Sequence, residues 1–128
     1  MSAWTNDELA RVRDAEELQL ASRRPDGSLS SFTTMWVVQA GDELYVRSAG
    51  GPDRLWYRRA IAYRRGRIRA CGVERDVTFS QADAMAQAAV DDAYHVKYDR
   101  HGPGIVGHVT GPNNHEVTVR LIPQDDGA

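Results

Sequence analysis

Polar and apolar positions change rhythm several times along the chain, and each rhythm predicts an element. Thr5 and Glu8 form a capping box, and Leu9, Val12 and Ala15 recur at helical spacing, so a first helix is expected over residues 5–15. Trp4 stands at staple spacing from Leu9 and reads as a packing residue rather than a ligand platform. Leu18 and Leu20 alternate with polar neighbours, which predicts a strand over 18–22. Pro25 and Gly27 make a turn, because proline presets φ and glycine accepts positive φ. Residues 32–39 are rich in Thr, Val, Trp and Phe and read as one strand; Gly41-Asp42 turns it into another over 43–47. A three-stranded antiparallel meander follows.

The second half repeats the exercise. Asp53 is the expected N-cap of a helix over 54–63, which Arg64-Arg65-Gly66 closes with cations and a glycine. Arg67, Arg69 and Cys71 alternate with Ile68 and Ala70, Gly72 marks a bend, and 77–79 continues as a strand. Ser80 is the expected cap of a third helix, with Asp83 at its third position and Tyr98 near its end. Its predicted buried stripe is Met85, Ala89, Ala93 and Val96. Residues 100–114 form a Gly/Pro-rich loop with one short strand or helical turn, 115–122 is the last strand, and Pro123 opens a polar tail over 123–128. The count is six or seven strands and about three helices. The expected fold is mainly β with helices (α+β), a small antiparallel barrel in one domain over 1–128.

Composition narrows the picture. A length of 128 residues, 41% hydrophobic and 27% charged, suits one soluble domain, and a net charge of −2 gives no global field toward nucleic acid or membrane. The one cysteine, Cys71, allows no intrachain disulfide and reads as a small buried residue. No signal peptide or membrane span is visible, so a cytoplasmic protein is expected. His95, His101, His108 and His115 have no zinc-site spacing and no CxxC beside them; no metal is expected, and they read as surface or loop residues. A basic run from Arg54 to Arg75 interleaves with Trp56, Tyr57 and Tyr63 and could contact phosphates. The acidic balance of the whole chain argues against nucleic-acid binding.

The chemistry-bearing stretch is LYVRSAGGPDRLWYRR, residues 44–59. A strand ends, a Gly-Gly loop follows and a helix begins, so backbone N–H groups and the helix dipole would favour an anion. Arg47, Ser48 and Arg54 add donors, and Gly50 and Gly51 let the backbone approach closely. An ordinary strand-to-helix loop remains the alternative. Trp36 with Trp56 and Tyr57 could wall a pocket for a flat ring, or could simply be core.

RPDGSLSSFTTMWVV, GDELYVRSAGG, WYRRA, GRIRACGVERDVTF, DDAYHVKY and VTVRLIP together resemble a family of small bacterial proteins. That family belongs with the flavin-binding split-barrel proteins related to pyridoxamine phosphate oxidase. The order GG then WY is also similar to the deazaflavin-dependent nitroreductases. The resemblance covers residues 4–123 and implies an antiparallel six- or seven-stranded split β-barrel, commonly a homodimer with the cofactor near the subunit interface. It implies a phosphate held at Arg47, Ser48, Gly50, Gly51 and Arg54, and a ring above Thr34, Met35 and Trp36. The implied activity is a flavin- or deazaflavin-binding oxidoreductase acting on a small organic substrate, with FMN or the 8-hydroxy-5-deazaflavin coenzyme. A cofactor-free split barrel, using its cleft for binding or non-redox catalysis, stands as the alternative. The chain departs from such relatives after the RPDG turn, where Ser28, Leu29, Ser30 and Ser31 stand in place of a basic residue.

Overall fold

The computed structural model describes residues 4–49, 51–107, 109–110 and 112–124. Helix α1 spans Asn6–Asp14, and both halves of the Thr5–Glu8 capping box form. Strands β1 (Leu18–Ser22), β2 (Thr33–Met35), β3 (Val38–Ala40) and β4 (Glu43–Arg47) precede helix α2 (Leu55–Tyr63). Strands β5 (Arg65–Ala70) and β6 (Val73–Gln81), helix α3 (Gln87–Tyr98) and strand β7 (Thr118–Pro123) complete the frame. All seven strands join one sheet in the order β2-β1-β5-β6-β7-β4-β3, every pairing antiparallel. The sheet curls into a half-barrel carrying three helices, an α+β fold: the antiparallel barrel expected from the alternation and the split barrel implied by the resemblance.

Residues 32–39 are not one strand. The chain breaks at Trp36-Val37, so β2 pairs with β1 at one edge of the sheet while β3 pairs with β4 at the other. One continuous segment thus supplies both edges, and this is the split in the barrel. Lys97 Nζ donates to the Val37 carbonyl at 2.7 Å, and the Tyr98 hydroxyl oxygen accepts from Val37 N at 3.2 Å while donating to the Glu16 carbonyl, which satisfies backbone groups the ladder has released.

Several caps and turns differ from expectation. Arg54, not Asp53, is the N-cap of α2, and no side chain caps that end. The helix closes on Arg64 at φ 62°, which frees Gly66 for β5. A Cβ on Gly66 would stand 2.0 Å from the Ala21 carbonyl oxygen and 2.7 Å from the Phe79 ring, so glycine is needed there for close approach. Cys71 is exposed in the β5–β6 turn at φ 47°, not buried. Ser80 lies inside β6; Asp83 caps a short 3-10 turn before α3 instead. The last strand begins at Thr118, after a 3-10 segment over Pro112–Val117. Residues 100–114 do contain a helical turn, Pro103–Val106. Pro123 still belongs to β7, Gln124 donates from its backbone N to the Asp76 carbonyl, and residues 125–128 of the expected polar tail lie outside the described residues.

Two hydrophobic clusters form. The first gathers Leu9, Leu20, Ile68, Phe79, Leu121 and their neighbours beneath α1 and α2. Trp4 belongs to it and donates from Nε1 to the Leu121 carbonyl at 3.0 Å. The second joins Val38, Tyr45, Val90, Tyr94, Tyr98, Val106 and Val109 under α3. The stripe of α3 that faces inward is Gln87, Val90, Tyr94 and Tyr98; Met85 and Val96 are 92% and 88% exposed. Among the described residues no helix is long and apolar enough to cross a membrane.

Candidate functional site

Arg47 closes β4 with its side chain turned inward. Nε donates to Thr118 Oγ1 at 2.8 Å, and Nη1 donates to the Val109 carbonyl at 2.7 Å and to Asp91. Nη2 donates to Gln87 Oε1 at 2.9 Å and, more weakly, to the Gln87 carbonyl at 3.4 Å. A guanidinium has five N–H groups, and these five acceptors use them all. The residue expected to reach over the glycine loop therefore holds α3 and β7 against β4. Thr118 closes the network by donating to Gln87 Oε1 at 2.9 Å.

The network has an open end. Asp91 Oδ2 lies 3.0 Å from His115 Nε2, and the His115 side chain is 33% exposed. With the carboxylate accepting, Nε2 carries the proton of the neutral ring and Nδ1 keeps the lone pair. His115 lines a cleft of about 400 Å³ together with Pro52, Tyr57, Gln81, Ala82 and Glu116. The Tyr57 hydroxyl donates to the Glu116 carbonyl at 2.9 Å and accepts from Gln81 Nε2 at 3.1 Å. This sequence of contacts, a buried arginine gripping an aspartate that orients a histidine, has the logic of an acid–base pair.

The glycine loop borders the same cleft through Pro52. Gly51 N donates to the Ser48 carbonyl at 3.0 Å, and the Ser48 hydroxyl donates to the Gly51 carbonyl at 2.6 Å. Ser48 is fully buried, so its hydroxyl shapes the turn from behind. Gly51 sits at φ 87°, and a Cβ there would meet nothing within 4 Å, so glycine is needed for its backbone conformation and not for room. Gly50 lies outside the described residues. Arg54 is exposed at the uncapped start of α2, and among the described residues it makes no ion pair. First-turn N–H groups, an exposed guanidinium and a positive-φ glycine fit the phosphate of a nucleotide-like cofactor.

The other expected site residues divide. Trp56 packs against the first cluster and meets Tyr57 edge-on at 5.9 Å. Trp36 packs against the second cluster, stacked on Tyr98 at 4.0 Å and on His101 at 5.4 Å. The two tryptophans are partly buried, pack against different clusters and do not wall one ring pocket. Met35 packs on the first cluster, while Thr34 borders a separate cleft with Arg69 and Gly72. The basic run also splits: Arg67 pairs with Asp76 and Glu74, Arg69 with Glu74, and Arg75 with Glu8. His108 lies outside the described residues. No group of His, Cys, Asp and Glu among the described residues could hold a metal ion.

Gln87, Asp91 and His115 were not expected here. Asp91 reads as solvated if α3 buries its Met85–Val96 side. It falls at the inner face once the Tyr94–Tyr98 stripe is chosen, and that choice is the signal that would have found it.

Residues 8–121 match a family described as an uncharacterized protein conserved in bacteria, DUF2255. The chain belongs to that family. No curated protein compared matches it. Its fold is shared with a putative pyridoxamine 5'-phosphate oxidase from Listeria innocua (TM-score 0.65, 13% identity, covering 94% of this chain and 93% of that one). HutZ, the heme storage protein from Vibrio cholerae, is similar too (TM-score 0.64, 16% identity, 94% and 90% covered). So is a FAD-binding protein from Mesorhizobium loti (TM-score 0.59, 15% identity, 96% and 92% covered). An F420 reductase shares the fold at a TM-score of 0.54 and 19% identity, with 91% and 92% covered. The chain thus has the split-barrel fold that these proteins share.

Proposed function

We propose that this DUF2255 chain binds a flavin or deazaflavin at the α2 end of its sheet and is an oxidoreductase for a small organic substrate. The observation that carries this reading is the uncapped first turn of α2, preceded by the Ser48–Gly51 turn and flanked by Arg54, which makes no ion pair among the described residues. Proteins of this fold described as FAD-binding or as an F420 reductase support it. In this reading Arg54 and the first N–H groups of α2 hold the phosphate, and Gly51 gives the loop its path. Ser48 and Arg47 keep the seat in shape from behind. The cofactor, FMN or the 8-hydroxy-5-deazaflavin coenzyme, supplies hydride or electron transfer when bound. Tyr57 and Gln81 present a polar edge to the substrate, and His115 can hold or deliver a proton at Nδ1. The protein works as a cytoplasmic homodimer, and light scattering at micromolar concentration is expected to give the dimer mass.

Titration of both cofactors tests the seat. Arg54→Ala should lose a charge-assisted phosphate contact, roughly ten- to a hundredfold in affinity, while Arg58→Ala on the same helix changes little. Wild type binding neither cofactor removes the reading. A second reading, a cofactor-free barrel doing acid–base chemistry in the cleft, is favoured by the His115–Asp91–Arg47 arrangement. Freshly purified protein without visible absorbance, unable to bind either cofactor, would leave that reading in place.

A further inference from the structure

On the far side of α3 lies a groove of about 570 Å³ between α3, β3 and the end of α1. Val38, Ala40, Ala89, Ala93 and Val96 give it an apolar wall, and Lys97 also lines it. Lys97 is the only lysine of the chain. Its side chain is partly buried and Nζ donates to the Val37 carbonyl at 2.7 Å, in the break between β2 and β3. Among the described residues it makes no ion pair, although most ammonium groups so placed would find a carboxylate. The charges acting on it are Asp14 and Glu16, at and beyond the end of α1, and Arg100 after α3; Arg13, Asp14 and Asp92 also line the groove. Burial is the largest influence on the amine and lowers it to about 8, against the pull of Asp14 and Glu16 and with help from Arg100. The unprotonated amine is therefore well populated just above neutrality.

We propose that Lys97 is a carbonyl-reactive amine and that the groove beside it takes small apolar aldehydes. The Nζ lone pair attacks the carbonyl carbon, a C–N bond forms, and the carbonyl electron pair moves to oxygen. Proton transfer from nitrogen to oxygen gives the carbinolamine. Loss of that oxygen as water, with the remaining nitrogen proton, leaves the imine. Nothing is oxidised or reduced, and the open groove lets solvent carry the protons. The apolar wall selects the substrate class: Arg13 shares the lining but is paired with Asp14, and Asp92 repels an anion, so a carboxylate is disfavoured there. The site is independent of the cofactor seat, which lies at α2.

The test uses butanal with cyanoborohydride, which traps the imine as a stable secondary amine, followed by peptide mass mapping. A single lysine makes the map simple, and N-acetyl-lysine amide in the same tube is the exposed reference. At pH 7.5 Lys97 should be alkylated about tenfold or more faster than the reference, since an ordinary lysine titrates near ~10.4. Its rate should rise with pH through a midpoint near 8. Glyoxylate, an anionic aldehyde, should react several-fold more slowly than butanal at Lys97 but not at the reference. Lys97→Arg should abolish labelling of that peptide. Labelling no faster than the reference, or a midpoint in the ordinary lysine range, overturns the reactive amine. Equal relative rates for the two aldehydes overturn the selective groove.

Discussion

The two hydrophobic clusters of this small barrel are built on different principles. The first is mostly aliphatic: leucines, valines and Ile68 fill the space under α1 and α2, and its buried indole N–H finds a carbonyl. The second is aromatic and polar at its margins. Trp36, Tyr94 and Tyr98 gather beneath α3, with Arg47 over the Tyr94 ring at 5.5 Å and Lys97 beside Tyr98 at 5.1 Å. The first cluster stabilises the fold by area removed from water. The second depends on donors and acceptors meeting in a place without water, and it is the one that touches both chemically equipped clefts.

Mutations can break or sharpen that contrast. Arg47→Ala should have the largest effect, because it leaves Asp91 and Gln87 without their buried partner. A loss of about 3–5 kcal/mol is expected in urea unfolding, and a loss under about 1 kcal/mol would mean that the network is not structural. In the first cluster Gly66→Ala forces a methyl against the Ala21 carbonyl and the Phe79 ring. It should cost about 3 kcal/mol by the same measurement; a neutral outcome would show that β1 and β5 can move apart.

The two tyrosines of α3 provide a finer test. Both are fully buried, and burial pushes both phenols above their ordinary range. The Tyr98 hydroxyl donates to the Glu16 carbonyl at 2.8 Å, whereas the Tyr94 hydroxyl has no hydrogen-bond partner among the described residues. Tyr98→Phe should lower stability by about 1 kcal/mol, and Tyr94→Phe should leave it unchanged or raise it. Equal losses would place a partner on Tyr94.

The smallest effect concerns acid. The hydrogen bond from Arg67 holds the Asp76 carboxyl below the usual range against a partial burial that raises it; the charges of Arg67 and Arg23 add to the lowering. A depressed carboxylate contributes stability that is present above its unfolded value near ~3.9 and is lost as pH falls through the lower folded value. Asp76→Asn should therefore flatten the stability curve below about pH 4 and change its slope little near neutrality. An unchanged acid limb would show that Asp76 is not its source.

How much was legible follows the same division. Capping at Thr5, the turn at Pro25–Gly27 and the alternation of β1, β4 and β5 were readable because local chemistry decides them. The break at Trp36-Val37 was not, since eight consecutive residues, mostly strand formers, give no local reason to stop. It comes from long-range partners, β1 on one side and β4 on the other, with Lys97 answering the released Val37 carbonyl and Tyr98 its N–H. Helix α3 carries two apolar faces. Sequence favoured Met85, Ala89, Ala93 and Val96; burial went to Val90, Tyr94 and Tyr98, whose rings cover more surface and whose neighbours Gln87 and Asp91 answer Arg47. Arg47 itself looked like a ligand residue because a strand-end arginine beside a glycine loop carries no mark of which way it turns.

Strand β7 lies between β6 and β4, in the interior of the sheet, although it is the last of the seven strands in chain order. During synthesis the hairpins β3–β4 and β5–β6 emerge early but have no common neighbour until residues 118–123 leave the ribosome. Until then the nascent chain must carry two unjoined pieces of sheet, with interior edges bare. Chaperone dependence and the yield of soluble protein should then be governed by how fast β7 is inserted, and by Trp4, whose indole fastens the first residues described to that final strand.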